Sequence, residues 1–404
     1  MGNIYIVDAI MGSGKTTAAI NKMNRETDTN FIFITPFLDE VGRIRKECSL
    51  YDRLFYEPLQ RGRGKLDSLH NLLSEGKNIA STHALFQTYN DYTQDLIRQG
   101  KYVLILDEVC DVVERLEYTK DDIKDILNHS HLEGDFLVWD DEEYDGSYND
   151  VKNMAMAKSV IIWNDRQVMW NLPIELFKSF EEVYIMTYLF DAQVQKYYYD
   201  YYGLHYEYIG VNKDKNGDYQ FVYSGFEYPE SVKTLKDKIS IVEDSKLNRI
   251  GDGYFDLSVS WYARELQPSK GLMLKQVKNN IYNIFANKWK SAGDKMLWTC
   301  FKNTYEKLQK SKYKAHYLVF NSRATNKYAE RTDLVYPVNI FLNPYYKEFF
   351  ESRYVKIEEE KYALSEMIQW IWRSAIRNDQ PIRIYIPSSR MRNLLKNWLE
   401  ELSY

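Results

Sequence analysis

The run Ala9-Ile10-Met11-Gly12-Ser13-Gly14-Lys15-Thr16 constrains this chain more than any other stretch. It follows the apolar segment 4–7 and leads into a helix-compatible run from Thr17, so it reads as a strand, a tight loop and a helix. Gly12 and Gly14 let backbone N–H groups close around a polyphosphate, and the helix presents its N-terminus to the negative charge. Lys15 reaches the terminal phosphates and Thr16 offers a hydroxyl to a divalent cation. The phosphate-loop pattern fails only at its first position, where Ala9 stands in place of glycine. Met11, Gly12, Ser13, Gly14, Lys15, Thr16 and Thr17 are therefore the expected phosphate contacts.

Such a loop belongs to a parallel α/β sheet, and the chain supplies the strands. Short apolar runs recur before polar or helical stretches at 31–34, 78–80, 102–106, 160–163 and 183–186, and again at 205–209, 295–299, 316–320, 338–341 and 382–387. The expected architecture is α/β, with two parallel-sheet units. The boundary is expected near 203, after a tyrosine-rich helix (Tyr197, Tyr198, Tyr199, Tyr201, Tyr202) closed by Gly203. This gives 1–203 and 204–404, with helical insertions at about 114–175 and 230–292. The acidic stretch 139–146 reads as a solvated loop on the first insertion, or as a regulatory arm or DNA mimic.

Chain length supports two cores: 404 residues, 45% of them hydrophobic, with only 18 Gly and 9 Pro, exclude fibrous and disordered classes. Fifty-three basic against 58 acidic residues give a net charge of -5, so any polyanionic partner must be held by a local groove. Cys48, Cys110 and Cys300 are widely spaced without metal-binding pairs, as expected of reduced thiols in the cytoplasm. No run is long enough for a membrane span. The start at Gly2 runs directly into an expected strand, which argues against acylation there.

The second chemical signal is the apolar strand 103–106 ending in Asp107-Glu108. Asp107 suits a contact to Mg²⁺, and Glu108 is placed to polarise a water attacking a γ-phosphate. His129 and His131 have no cysteine near them in sequence and are not expected to bind metal.

Taken together, Ala9–Thr16, 34–40, 81–86 and 107–110 resemble motifs I, Ia, Ib and II of superfamily 2 helicases, in that order. Met186-Thr187-Tyr188-Leu189 falls where motif III would lie, with Tyr188 replacing its small middle residue. Gln369-Trp370-Ile371-Trp372-Arg373-Ser374-Ala375-Ile376-Arg377 resembles motif VI, and 321–326 is the candidate for motif V. The likeness is to DNA helicases of the DEAD/DEAH-like kind carried by phages and plasmids. Only eight residues precede Ala9, which disfavours the subgroup that reads adenine with an upstream glutamine motif.

The resemblance implies two RecA-like domains, ATP and Mg²⁺ as cofactors, and ATP-driven movement along single-stranded or forked DNA, with RNA also possible and replication proteins as candidate partners. It assigns catalysis to Lys15, Asp107, Glu108, Gln369, Arg373 and Arg377, and metal binding to Thr16 and Asp107. A helix through 369–377 would place Gln369, Arg373 and Arg377 on one face at i, i+4 spacing. Thr35, Thr82, His83 and Arg323 are the candidate strand contacts, because short donors at the ends of parallel strands can meet successive phosphates. The basic run 61–65 is a second candidate, against a solvated connector. The tyrosine cluster reads as helix packing ahead of base stacking. A nucleotide-switched module that clamps DNA or loads a helicase fits the same residues, whereas a packaging motor would need a carboxylate cluster for a nuclease in the second half, and none is visible there.

Overall fold

The computed structural model describes residues 2–60, 64–164, 167–224, 230–321 and 327–402. The chain divides into two compact units: Met1–Ile10, Gly14–Phe226 and Asn343–Ile357 form one, and Met11–Ser13, Glu227–Leu342 and Glu358–Tyr404 the other.

The first unit opens with strands β1 (Asn3–Asp8), β2 (Asn30–Thr35), β3 (Phe55–Tyr56), β4 (Asn78–Thr82) and β5 (Tyr102–Asp107). An insertion then contributes β6 (Val113–Leu116), β7 (Ser130–Glu133), β8 (Phe136–Trp139), β9 (Val160–Trp163) and β10 (Gln167–Asn171), and the main sheet resumes with β11 (Glu182–Thr187), β12 (Glu207–Lys213) and β13 (Tyr219–Val222). Its order is β13-β12-β1-β11-β5-β2-β4-β3, parallel throughout except for β13. Alternate side chains point to opposite faces of a strand, so Tyr5, Val7, Phe31, Phe33, Val103 and Ile105 share one core with Ala18, Ile20 and Met23 of the helix Lys15–Arg25 and with Val41 and Ile44 of Leu38–Ser49. Their neighbours Ile6, Ile32, Ile34, Leu104 and Leu106 are buried as well. Burial on both faces is what makes these strands read as continuous apolar runs.

The insertion departs from the helical expectation. It forms a separate five-stranded antiparallel sheet, β6-β10-β9-β8-β7, beside the helices Lys120–Asn128 and Asn149–Met156. Ile123, Ile126, Leu137, Val151, Val160, Ile162 and Val168 give it a core of its own. The run 160–163 is thus a strand of this sheet and not of the parallel one.

The expected boundary at 203 also differs from the observed division. After the tyrosine helix, Val194–Tyr201, strand β12 pairs parallel with β1, so the chain stays in the first unit through Phe226. Helix Pro344–Glu351 returns to that unit, where Phe350 meets Tyr197 at 5.9 Å between ring centroids and Arg115 stacks on Tyr345 at 3.9 Å. Tyr197, Tyr198 and Tyr199 are fully buried, in agreement with packing over base stacking.

The second unit holds a four-stranded parallel sheet, β14-β17-β16-β15, from β14 (Ile239–Ile241), β15 (Met296–Trp298), β16 (Asp333–Val335) and β17 (Ile382–Tyr385). Arg383 bridges from β17 to Asp333 of β16 with two bonds of 2.7 and 2.9 Å. Two expected strands are absent. The run 316–320 makes a single bridge, Tyr317 to Trp298. In 338–341 the polar groups of Asn339 turn to a loop: its backbone N–H donates to Leu257 O at 3.0 Å and its side-chain amide to Tyr254 O and Asp256 O at 2.8 and 3.0 Å.

The expected helix through 369–377 stops early. Helix Glu359–Ile371 ends because Ser374 turns into extended backbone, caps Ile376 N at 3.5 Å and starts the short 3₁₀ turn Ala375–Asn378. Among the described residues, no helix is long and apolar enough to cross a membrane, and the three cysteines are buried without a disulfide.

Candidate nucleotide site

The phosphate loop leaves β1 at the carboxyl end of the parallel sheet, the edge at which α/β sheets bind ligands. Ala9 N donates to Thr187 O at 3.0 Å, which holds the loop entrance against the end of β11. Gly12 and Gly14 have φ of 82° and 90°, a region that side-chain-bearing residues avoid. A Cβ on Gly14 would lie 2.4 Å from the Tyr219 ring, so the position demands glycine twice over. Gly14 opens the helix Lys15–Arg25 with no side-chain cap, which leaves that helix end to a ligand's acceptors.

Lys15 Nζ donates to Ala9 O and, at 3.2 Å, to Ile10 O. Burial pulls its ammonium pKa down, and the charges of Glu108, Asp8 and Asp107 oppose that shift, so three carboxylates lie close enough to act on it. Ser13 Oγ is buried without a protein partner, an orphaned donor of the kind a phosphate oxygen satisfies. Thr16 is half-buried and Thr17 exposed at the first turn.

Asp107 ends β5, and β11 lies between β5 and β1. Burial, reinforced by the negative charges of Glu108 and Glu40, pushes its carboxyl up to about 7. Thr35 Oγ1 donates to Asp107 Oδ2 at 3.4 Å, and His83 Nε2 donates to the Asp107 carbonyl at 3.2 Å. Glu108 sits at φ 66° while its N–H donates to Met186 O at 2.9 Å. A left-handed backbone at a non-glycine residue costs on the order of 1 kcal/mol and persists where its surroundings hold it. Here the β11 carbonyl holds it.

A polyphosphate with Mg²⁺ fits this donor set: uncapped N–H groups, a lysine, a threonine hydroxyl and a carboxylate. Mg²⁺ keeps several waters and takes one or two protein oxygens, so Thr16 and Asp107 suffice for it. Among the described residues no cluster of three or more His, Cys, Asp and Glu side chains is placed to hold a metal. His129 and His131 pair instead with Asp141 at 2.9 Å and Asp140 at 2.8 Å.

The candidate strand contacts separate. Thr35 and Thr82 are register partners at the ends of β2 and β4, with His83 directly after. Thr35 is fully buried with its hydroxyl on Asp107, a positioning role rather than an open phosphate contact, whereas Thr82 and His83 are half-buried. Arg323 lies outside the described residues, as does 61–63 of the basic run. Gln369, Arg373 and Arg377 belong to the second unit: Gln369 is buried in the last turn of its helix, Arg373 is half-buried just beyond the helix end, and Arg377 is exposed in the 3₁₀ turn.

Sequence reading missed Asp8. Its carboxylate accepts from Leu189 N at 2.8 Å and Phe190 N at 3.0 Å, which fixes the turn after β11, where Leu189 has φ 55°. The signal was an acidic residue at a buried strand end one position before the loop.

Two α/β units with parallel sheets, with a phosphate loop after β1 and an acidic pair at the end of β5, separated by β11, define a RecA-like, helicase-like fold. The chain resembles the S. tokodaii Xpd4 structure over 98% of its own length and 94% of that chain, with a TM-score of 0.50 and 10% identity, a likeness of fold alone. The DUF1998 helicase MrfA, solved bound to DNA and AMPPNP, matches at a TM-score of only 0.35 and 9% identity over 99% of this chain and 48% of that one. The chain belongs to the YonV family: it is 43% identical to the SPbeta prophage-derived uncharacterized protein YonV of Bacillus subtilis (strain 168) over 99% of both chains. Residues 233–399 match the YonV C-terminal Rossmann-like domain and 113–170 the YonV middle domain, the latter coinciding with the antiparallel insertion.

Proposed function

We propose that the protein is an ATP-hydrolysing DNA helicase or translocase of superfamily 2 type, acting in the cytoplasm in phage-type replication or recombination. One observation carries the reading: the loop after β1 turns through Gly12 and Gly14 at positive φ into the uncapped N-terminus of the helix Lys15–Arg25, with Lys15 Nζ held on the loop carbonyls. The prophage origin named for the Bacillus relative supports the phage setting.

In this reading Gly12, Ser13 and Gly14 offer N–H donors to the phosphates, and Lys15 leaves the carbonyls of Ala9 and Ile10 for the β- and γ-phosphates. Thr16 and Asp107 would hold Mg²⁺, which would supply charge neutralisation to the phosphates. Glu108 takes a proton from the attacking water. Thr35 and His83 keep Asp107 oriented. Gln369 and Arg373, with Arg377 subordinate, answer the charge that develops on the γ-phosphate, and Thr82, His83 and Arg323 meet the strand.

The test is ATP turnover with and without single-stranded DNA, combined with opening of a labelled fork. Stimulated turnover with strand separation supports the helicase; stimulated turnover without separation supports a translocase. DNA binding with flat turnover would favour a nucleotide-switched clamp.

A further inference from the structure

The second unit carries a cavity of about 350 Å³ whose lining includes Lys270, Lys275, Lys278 and Lys307, with Glu265 as its single acid. Lys275 and Lys278 come from the helix Leu272–Asn283, Lys270 from the turn before it, and Lys307 from the helix Tyr305–Leu308. A fifth cation adjoins them: Lys310 donates to Asn279 Oδ1 at 3.0 Å and lies over the Tyr282 ring at 4.4 Å. Among the described residues none of the five forms an ion pair. Burial, and after it the neighbouring charge of Lys278, lower the pKa of Lys310.

A lone surface lysine is ordinarily solvated and means nothing. Four around one concavity and a fifth beside it, with a single acid in the lining, in a chain whose net charge is -5, concentrate positive potential at one place. Leu272, Met273 and Tyr282, exposed at 83%, 47% and 39%, lie on the same helix and offer apolar and aromatic surface. Lysines alternating with such surface suit a strand whose phosphates and bases must both be covered.

We propose that this lysine cavity is a second docking site for the phosphodiester backbone of a single-stranded nucleic acid, held in the second unit and independent of the phosphate loop. The inference rests on the function proposed above only in naming nucleic acid as the partner. The site adds affinity and no base preference, since lysines meet phosphates as point charges.

The experiment uses the full chain without nucleotide. Binding of a fluorescent single-stranded oligonucleotide is followed by anisotropy at several salt concentrations for the wild type and for a variant carrying K270Q, K275Q, K278Q and K307Q. The variant should bind at least about tenfold more weakly, with a salt slope shallower by about 0.7 for each phosphate that is no longer neutralised, while its DNA-independent ATP turnover stays at the wild-type level. Wild-type affinity and slope in a variant that melts normally would overturn the inference, as would weakened binding of inorganic pyrophosphate with DNA affinity unchanged. If the fourfold variant does not fold, Lys278→Gln and Lys307→Gln singly replace it, and unchanged slopes in both would count against the site. A wild type that binds no DNA overturns this inference and the helicase reading together. Cavity-dependent DNA binding with turnover that ignores DNA overturns the helicase reading alone and supports the site.

Discussion

The carboxylate of Asp8 accepts a 2.8 Å hydrogen bond from the backbone N–H of Leu189, 181 residues further along the chain. With a second bond from Phe190 N, it fastens the strand that delivers the phosphate loop to the turn that follows β11. Asp8→Ala would leave two N–H groups without their acceptor beside a left-handed residue, at a cost of about 1–3 kcal/mol. Asp8→Asn, which keeps one acceptor oxygen, should lose less. Denaturant melts of the two variants check this, and an equal loss in both would place the effect in charge rather than in the turn.

Lys15→Ala should fold and lose ATP hydrolysis by about 100-fold or more, because the ammonium bonds only to loop carbonyls and serves no packing role. Turnover by the purified variant, with its thermal midpoint as a folding control, decides. Residual activity near the wild-type level would remove the phosphate loop from the mechanism.

Glu108 gives two variants that share the loss of hydrolysis and differ in stability. Glu108→Gln should retain nucleotide binding and lose hydrolysis, since the amide keeps the shape and cannot take a proton. Glu108→Gly should lose hydrolysis as well, yet raise stability by about 1 kcal/mol by relieving the positive φ of 66°. Paired turnover and melting measurements test both. A Glu108→Gly variant less stable than the wild type would show that the carboxylate itself supports the fold.

Asp107 makes stability depend on pH in a stated direction. Its carboxyl is raised to about 7, chiefly by burial, whereas in the unfolded chain it ionises near the usual carboxylate value of about 4. The folded chain therefore holds an extra proton across that window, and the stability this group contributes falls as pH rises through it. Without nucleotide or metal, the excess of the Asp107→Asn melting temperature over the wild type should be small at pH 5 and larger at pH 8. Mg²⁺ affinity of the wild type should rise over the same range as the proton leaves. Melting shifts equal at the two pH values would contradict the raised carboxyl.

Arg373 tests the second unit. Arg373→Ala should bind ATP almost normally and hydrolyse it about 10³-fold more slowly, the signature of a group that acts on the transition state. Arg377→Ala should be milder, since Arg377 is exposed on a separate turn and does not share a helix with Gln369. ATP affinity and turnover for each variant, with single-stranded DNA present, separate the two roles. Equal losses would restore a joint role for both arginines.

Much of this was legible because it is local. The phosphate loop needs glycines at fixed spacing, a lysine and a preceding strand, and a strand buried on both faces can only be written as an apolar run. Ala9–Thr16, the strands before Asp8 and Asp107, and the α/β class are of this kind. What depended on partners far away in the chain was not written locally. A run such as 160–163 is equally apolar in a parallel sheet or in a separate antiparallel one, and only the pairing of Val160 with Trp170 assigns it to the insertion. Strand β12 looked like the start of a new unit until its register with β1 kept it in the first. Thr35 had the composition of a phosphate contact, and its burial against Asp107 gave it another task. Asp8 is an ordinary acid in the sequence, and it matters because the fold brings the backbone of Leu189 to its carboxylate. Sequence wrote the chemistry that lies within one turn of chain, and tertiary structure decided which strand ends meet, since hydrogen bonding and burial between distant segments are set by register and not by residue type.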